Sequence, residues 1–288
     1  MKIAIVTDSN AGLVTDEAKG IFVLPMSFLI NEEEYFENVN LTQEKFYELL
    51  EEGSNVSTSQ PAPAAILELW DRILKDYDRI VHIPLSSSLS NSCQTAALLA
   101  EDYDGKVEVV NNYRISVTQR RSVEAARLLA DQGKDAAEIR RILEETALDS
   151  SIYITLDTLT YLKRGGRITP AAAAIGTILR LKPVLQIQGG KLDAFAKART
   201  MKQAKSLMIE AIRKDMAERF GDTTGKLTHI DIAHTKNDEA AEEFARELQA
   251  EFPEMTSCQI DPLSLVVSCH IGPGSLAVAV TRKLPEEQ

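Results

Sequence analysis

Two rhythms of apolar residues alternate along the chain. Short, β-branched and almost wholly apolar runs at Lys2–Thr7, Arg79–Leu85 and Lys106–Asn111 read as strands buried on both faces, and residues 21–30 form a further apolar run. Between them the spacing lengthens to three or four residues, which predicts helices over Thr42–Glu52, Pro63–Asp76, Val117–Gln132 and Ala136–Thr146. In the second of these, Ile66, Leu67, Trp70, Ile73 and Leu74 share one face. Strands alternating with helices predict an α/β fold around a parallel sheet.

A fresh start near Ser150, where Asp-Ser-Ser precedes the strand-like IYITL, predicts a boundary between an N-terminal parallel α/β domain at 1–150 and a C-terminal mixed α/β domain at 151–288. The second part opens with a helical LDTLTYLKRGG, an alanine-rich helix from Pro170 and a strand at Val184–Gln188. A Gly189-Gly190 turn into Lys191–Lys197 predicts a hairpin, hence a mixed sheet. Helices over Met201–Phe220 and Asp238–Phe252, the strand HIDIAHT, and strands around Ser257–Ile260 and Leu276–Thr281 complete the reading.

A chain of 288 residues with 44% apolar and 26% charged residues fits two compact globular cores better than one. The formal net charge of -11 argues against nucleic acid as a partner, because such binding draws on phosphate neutralisation. Cys93, Cys258 and Cys269 are scattered without a C-x-x-C pair, so neither a zinc site nor a redox couple is expected and no metal is assigned. Asp8 interrupts the first apolar run before it reaches the length of a signal-peptide core. The most apolar later stretch, Ala171–Leu185, is broken by Arg180, Lys182 and Pro183 and is not expected to span a bilayer. A soluble, cytoplasmic protein with at most transient membrane contact is the expectation.

Four clusters could carry chemistry. Ser57-Thr58-Ser59-Gln60-Pro61 stands before a helix, where hydroxyls either cap the first turn or join its free amides in holding an anion. Ser86–Ser92, rich in serine, follows a strand and opens a helix, which is where a doubly wound sheet places its ligand. With Asp8-Ser9 after the first strand, these clusters would put hydroxyls at the carboxyl ends of three parallel strands, converging on one crevice. Lys163-Arg164-Gly165-Gly166-Arg167 reads as a glycine-capped helix end or as an anion contact that Lys197, Arg199 and Lys202 extend. Finally, His270 precedes Gly272-Pro273-Gly274, which predicts a histidine on a tight loop, titrating near neutrality and able to bind and release a carboxylate.

Read in order, TDSN at 7–10, STSQP at 57–61, LSSSLSNS at 85–92, YLKRGGRI at 161–168, KARTMKQA at 197–204 and HIGPGSLAVA at 270–279 resemble the ordered signature of the DegV family across almost the whole chain. The resemblance implies two α/β domains with a lipid tunnel between their layers, and a non-enzymatic carrier of a long-chain fatty acid. The carrier would present the carboxylate to a separate fatty acid kinase and need no cofactor. Carried over by position, Thr58, Ser59, Ser90 and His270 match the head-group residues, and Arg167 and Arg199 match basic positions serving the head group or kinase docking. The serine loop departs from the family's SGLSGT at Ser88, Asn91 and Ser92, and bulky polar residues stand at Asn111–Arg121 where the family has small ones. Chain-length preference is therefore not carried over. Beside this stands a serine esterase built from Ser90 or Ser59, His270 and Asp8, which lacks a G-x-S-x-G elbow, and a nucleotide-binding protein, which lacks a phosphate loop.

Overall fold

The protein is described by a computed structural model at every residue except 38 and 176–180. The chain runs through β1 (Ile3–Asp8), β2 (Ile21–Leu24), β3 (Ser27–Ile30), β4 (Glu33–Phe36), α1 (Gln43–Glu51), β5 (Val56–Thr58), α2 (Pro63–Ile73), β6 (Arg79–Ile83), α3 (Ser92–Ala100), β7 (Val107–Val109), α4 (Val117–Asp131) and α5 (Ala136–Glu145). It continues through β8 (Ser150–Thr155), α6 (Thr160–Gly165), α7 (Pro170–Ile175), β9 (Lys182–Ile187), β10 (Asp193–Ala198), α8 (Met201–Asp215), β11 (Thr228–His234), α9 (Asp238–Glu251), β12 (Ile260–Pro262), α10 (Leu265–Ile271) and β13 (Leu276–Arg282). Part of the apolar stretch 171–185, including Arg180, lies outside the described residues.

The first sheet is parallel, in the order β2-β1-β6-β7, as the continuous apolar runs predict. Ile3 and Ile5 of β1 and Val81 and Ile83 of β6 face α4 and α5, whereas Ala4, Val6 and Ile80 face α2 and α3 with Trp70. Helices therefore seal both faces. The second sheet is mixed, in the order β10-β9-β8-β13-β11-β12, with the hairpin β9–β10 antiparallel. Tyr153, Val184, Ile230, Ile232, Leu276 and Val278 pack on one face against α8 and α9. The period of two sends Ile152, Ile154, Leu185, Ala233, Ala277 and Ala279 to the other face, where they meet Leu85, Leu89, Ile115 and Val117 from the loops of the parallel sheet.

A third sheet, antiparallel in the order β4-β3-β5, is an addition to the predicted architecture. Pro25 divides the apolar run at 21–30, so that β2 joins the parallel sheet and β3 turns away to pair with β4 and β5. Ser57 and Thr58 consequently lie on β5 and not at a helix cap; the N-cap of α2 is Ala62, which offers no side-chain acceptor. Only the Asp8-Ser9 and Ser86–Ser92 clusters follow parallel strands, which corrects the expectation of three. The helix expected over Met201–Phe220 is regular to Asp215 and ends in a wider π turn.

Two arginines tie α4 to the mixed sheet. Arg121 makes a buried bidentate pair with Asp231 of β11 at 2.8 and 2.6 Å, and Arg120 reaches Asp261 of β12 at 3.0 Å. The chain end returns the same way: Leu284 packs into the core of the parallel sheet beside Ile3 and Leu129.

Candidate functional site

The face of the mixed sheet turned away from α8 and α9 is where empty space remains. One cavity of about 50 Å³ is walled by Ile152, Ile154, Ile187, Ala233, Ala277 and Ala279 and closed by Ile115–Val117. A second, of about 80 Å³, shares Leu89, Ile115, Leu192, Val267 and Ile271 with the first and is rimmed by Asn10, Thr58, Ser59, Gln60, Ser90, Arg167 and His270. The two adjoin through these five shared residues, one apolar and the other rimmed by polar groups. Small side chains on β11 and β13 make the room, since larger residues at 233, 277 and 279 would fill it as Leu276 and Val278 fill the opposite face.

The polar end is assembled from four distant stretches. β5 is pinned to β3 through the Phe28 and Thr58 register and presents the Thr58 hydroxyl, 2.9 Å from His270 Nε2. His270 occupies the last turn of α10, not a loop, because Ser264 caps this helix by accepting from Val267 N at 3.4 Å and the half-buried Glu37 carboxylate accepts Leu265 N at 2.8 Å. Tyr47 donates to Ser268 at 3.1 Å from below. Burial, with the Arg167 charge adding to it, pushes the His270 imidazole down to about 4, so it is neutral at physiological pH and the expected near-neutral titration does not occur.

Arg167 leaves α6 through Gly166, whose φ of +69° forms the left-handed helix end. Its Nε donates to Leu89 O at 3.2 Å and its Nη1 to Gly165 O at 2.5 Å, which directs the half-buried guanidinium to the cavity rim and leaves three of its five N–H donors for a ligand. The basic turn is thus a helix cap and a site element at once. Ser90 lies in the turn before α3, 2.8 Å from the Ser92 hydroxyl and accepting from Ser92 N at 3.2 Å. Ser59 is exposed at the mouth.

Arg199 stands apart. Leu192 N donates to Arg167 O at one end of β10, while Arg199 follows its other end, a strand length of roughly 20 Å away. Its exposed side chain cannot share a carboxylate with Arg167. Residues to which sequence reasoning gave no role of their own are Asn10, Gln60, the alanine wall and the α10 residues Val266, Val267 and Ile271. The alternation of small and large residues in LAVAV at 276–280 is the signal that could have found the wall.

Among the described residues the serines form no hydrolytic triad with His270 and Asp8. His270 Nε2 engages Thr58 while its Nδ1 edge abuts Gly165, so no carboxylate orients the ring. Asp8 is buried and accepts from Leu85 N at 2.7 Å, Asn10 N at 3.0 Å and Gln119 Nε2 at 3.2 Å; it braces the turn after β1, with burial raising its pKa. Among the described residues no group of His, Cys, Asp and Glu could hold a metal, and no helix is long and apolar enough to cross a membrane.

The same architecture recurs in solved structures. A fatty-acid-binding DegV family protein from Thermus thermophilus is 28% identical, with a TM-score of 0.89 over 98% of this chain and 100% of its own. A fatty-acid-binding DegV family protein from Streptococcus agalactiae is 25% identical, with a TM-score of 0.86 over 99% and 100%. DegV of Bacillus subtilis, described as a fatty acid binding protein, is 28% identical, with a TM-score of 0.84 over 98% and 100%. Among curated sequences, a DegV domain-containing protein of Caldanaerobacter subterraneus subsp. tengcongensis is 31% identical over 98% of this chain and 99% of its own. The sequence model of the DegV family, itself described as uncharacterised, matches residues 2–283, and the chain belongs to that family.

Proposed function

We propose that this protein is a non-enzymatic cytoplasmic carrier that buries a long-chain fatty acid and presents its carboxylate to a separate fatty acid kinase, which forms the acyl phosphate. The observation that carries this reading is the joined pair of cavities, apolar against Ala233, Ala277 and Ala279 and rimmed by Thr58, Ser90, Arg167 and His270. Removing an acyl tail from water stabilises the complex by about 0.8 kcal/mol per methylene, on the order of 10 kcal/mol gross for a long chain. A carboxylate drawn partly inside needs several donors to offset lost hydration, and hydroxyls, one of them held by a neutral imidazole, and a guanidinium supply them. The fatty-acid-binding descriptions of the proteins from Thermus thermophilus, Streptococcus agalactiae and Bacillus subtilis support the same ligand class.

Charge distribution supports a partner at the head-group side. Between Tyr161 and Lys202 the sequence carries nine Lys or Arg and a single Asp, in a protein of net charge -11, and of these Lys182 is paired with Asp157. Arg167 serves the carboxylate and the partner, and Arg199, at the far end of β10, serves the partner alone; an acidic kinase surface fits this face. Organic extraction and mass spectrometry of the protein purified from bacteria will yield a long-chain fatty acid near one equivalent per chain. Preparations that are empty, and that also refuse added fatty acid, would overturn the reading.

A further inference from the structure

One contact within the polar end decides which side chain touches the ligand. Gly165 lies against the edge of the His270 ring, and a Cβ built on it would stand 2.9 Å from Cε1 and 3.2 Å from Cγ, with Nδ1 closer still. Those distances describe an in-plane approach on the Nδ1 lone-pair side. The glycine Cα–H bond therefore aims at Nδ1, which accepts this weak contact when unprotonated; an N–H there would meet it hydrogen to hydrogen. Gly165 is held in place because its carbonyl accepts from Arg167 and the left-handed Gly166 closes α6 behind it. On the opposite edge, Nε2 is 2.9 Å from the hydroxyl of Thr58, whose backbone is fixed by the β3–β5 ladder.

We propose that Gly165 is a positioning residue that holds His270 in the Nε2–H tautomer, so that Thr58 and not His270 gives the ligand carboxylate its direct hydrogen bond. The imidazole donates to Thr58 Oγ1, one lone pair of the hydroxyl is thereby filled, and its own proton is turned outward to the ligand. This rests on the fatty-acid reading for the identity of the ligand, while the tautomer itself is a property of the empty protein.

Long-range ¹H–¹⁵N correlation on ligand-free protein labelled at its four histidines tests it, with His270 assigned through its loss in His270→Gln. A pyridine-like Nδ1 and a pyrrole-like Nε2 are expected; a proton on Nδ1 overturns the proposal. Binding of palmitate is the second arm. Thr58→Val weakens it at least about tenfold, His270→Gln, whose amide nitrogen falls near Nε2, stays within about threefold of the unmodified protein, and His270→Asn, which reaches only the Nδ1 position, is as weak as Thr58→Val. Wild-type affinity in Thr58→Val overturns the proposal, as does His270→Gln failing where His270→Asn binds. Gly165→Ala displaces the ring and loses both tautomer signature and affinity; should that variant not fold, the unmodified spectrum and the Thr58 and His270 variants still decide. Failure of every form to bind palmitate, with the Nε2–H tautomer observed, removes the carrier reading and with it the role given to Thr58.

Discussion

The parallel and mixed sheets are built from similar residues and covered differently. Every face of the parallel sheet meets helices, with Trp70, Ile66, Leu129 and Ile139 filling the layers. The mixed sheet seals one face with Phe244, Met208 and Leu248 and turns alanines of β11 and β13 to the other, where space is left. Both sheets have a well-filled core, but only the mixed sheet keeps one face beside open space. The cavity arises from three small residues on one side of ordinary strands, whose large residues fill the core on the other side.

That division can be broken most forcefully at Trp70, fully buried against His82 and Tyr103. Trp70→Ala is expected to cost about 3–5 kcal/mol in urea denaturation, while the surviving folded fraction keeps its fatty acid. Next is the seam joining the two sheets. Arg121→Met leaves Asp231 buried without its partner and costs about 3 kcal/mol by the same assay, and the double change Arg121→Met with Asp231→Leu recovers most of it.

A matched pair of enlargements sharpens the contrast. Ala4→Leu, in the sealed sheet, costs about 1–3 kcal/mol through overpacking, whereas Ala279→Leu projects into empty space, leaves the unfolding midpoint within about 0.5 kcal/mol and weakens fatty acid binding at least about tenfold. Calorimetric titration beside denaturation reads both.

Acid separates the sheets more gently. Burial lowers His82, between β1 and β7 in the sealed sheet, to about 3, so it stays neutral in the folded protein while the unfolded chain takes up a proton below about 6.5. Its contribution is complete above that pH and is lost as pH falls toward 3. The slope is roughly 1.4 kcal/mol per pH unit, and comparison of midpoints for the unmodified protein and His82→Leu between pH 7 and 5 isolates it.

The parallel sheet was legible because strands buried on both faces leave continuous apolar runs. The antiparallel β4-β3-β5 sheet left no such trace: β4 is Glu-Glu-Tyr-Phe on an exposed edge and β5 is three residues long. The helix α10 was read as a loop since its seven residues include two β-branched valines and its ends are set by tertiary partners, Glu37 and Tyr47. Thr58 and His270 are 212 positions apart, so their pairing follows from family resemblance and never from spacing. The alanine wall was written in the alternation of β13, yet the same pattern would suit a tightly packed strand; only the layer opposite decides whether small residues leave a cavity. The atypical segment at Asn111–Arg121 has two outcomes: Ile115–Val117 close the apolar cavity, and Arg120 and Arg121 form the seam.

In the proposed complex an acyl tail lies along the alanine face of the mixed sheet with its carboxylate at Thr58 and Arg167. A crystal structure of the protein loaded with a fatty acid brominated at its terminal carbon tests this directly. An anomalous bromine peak is expected among Ala233, Ala277 and Ala279; bromine at the Ser59 mouth, or on the outer surface, would rule out this binding mode.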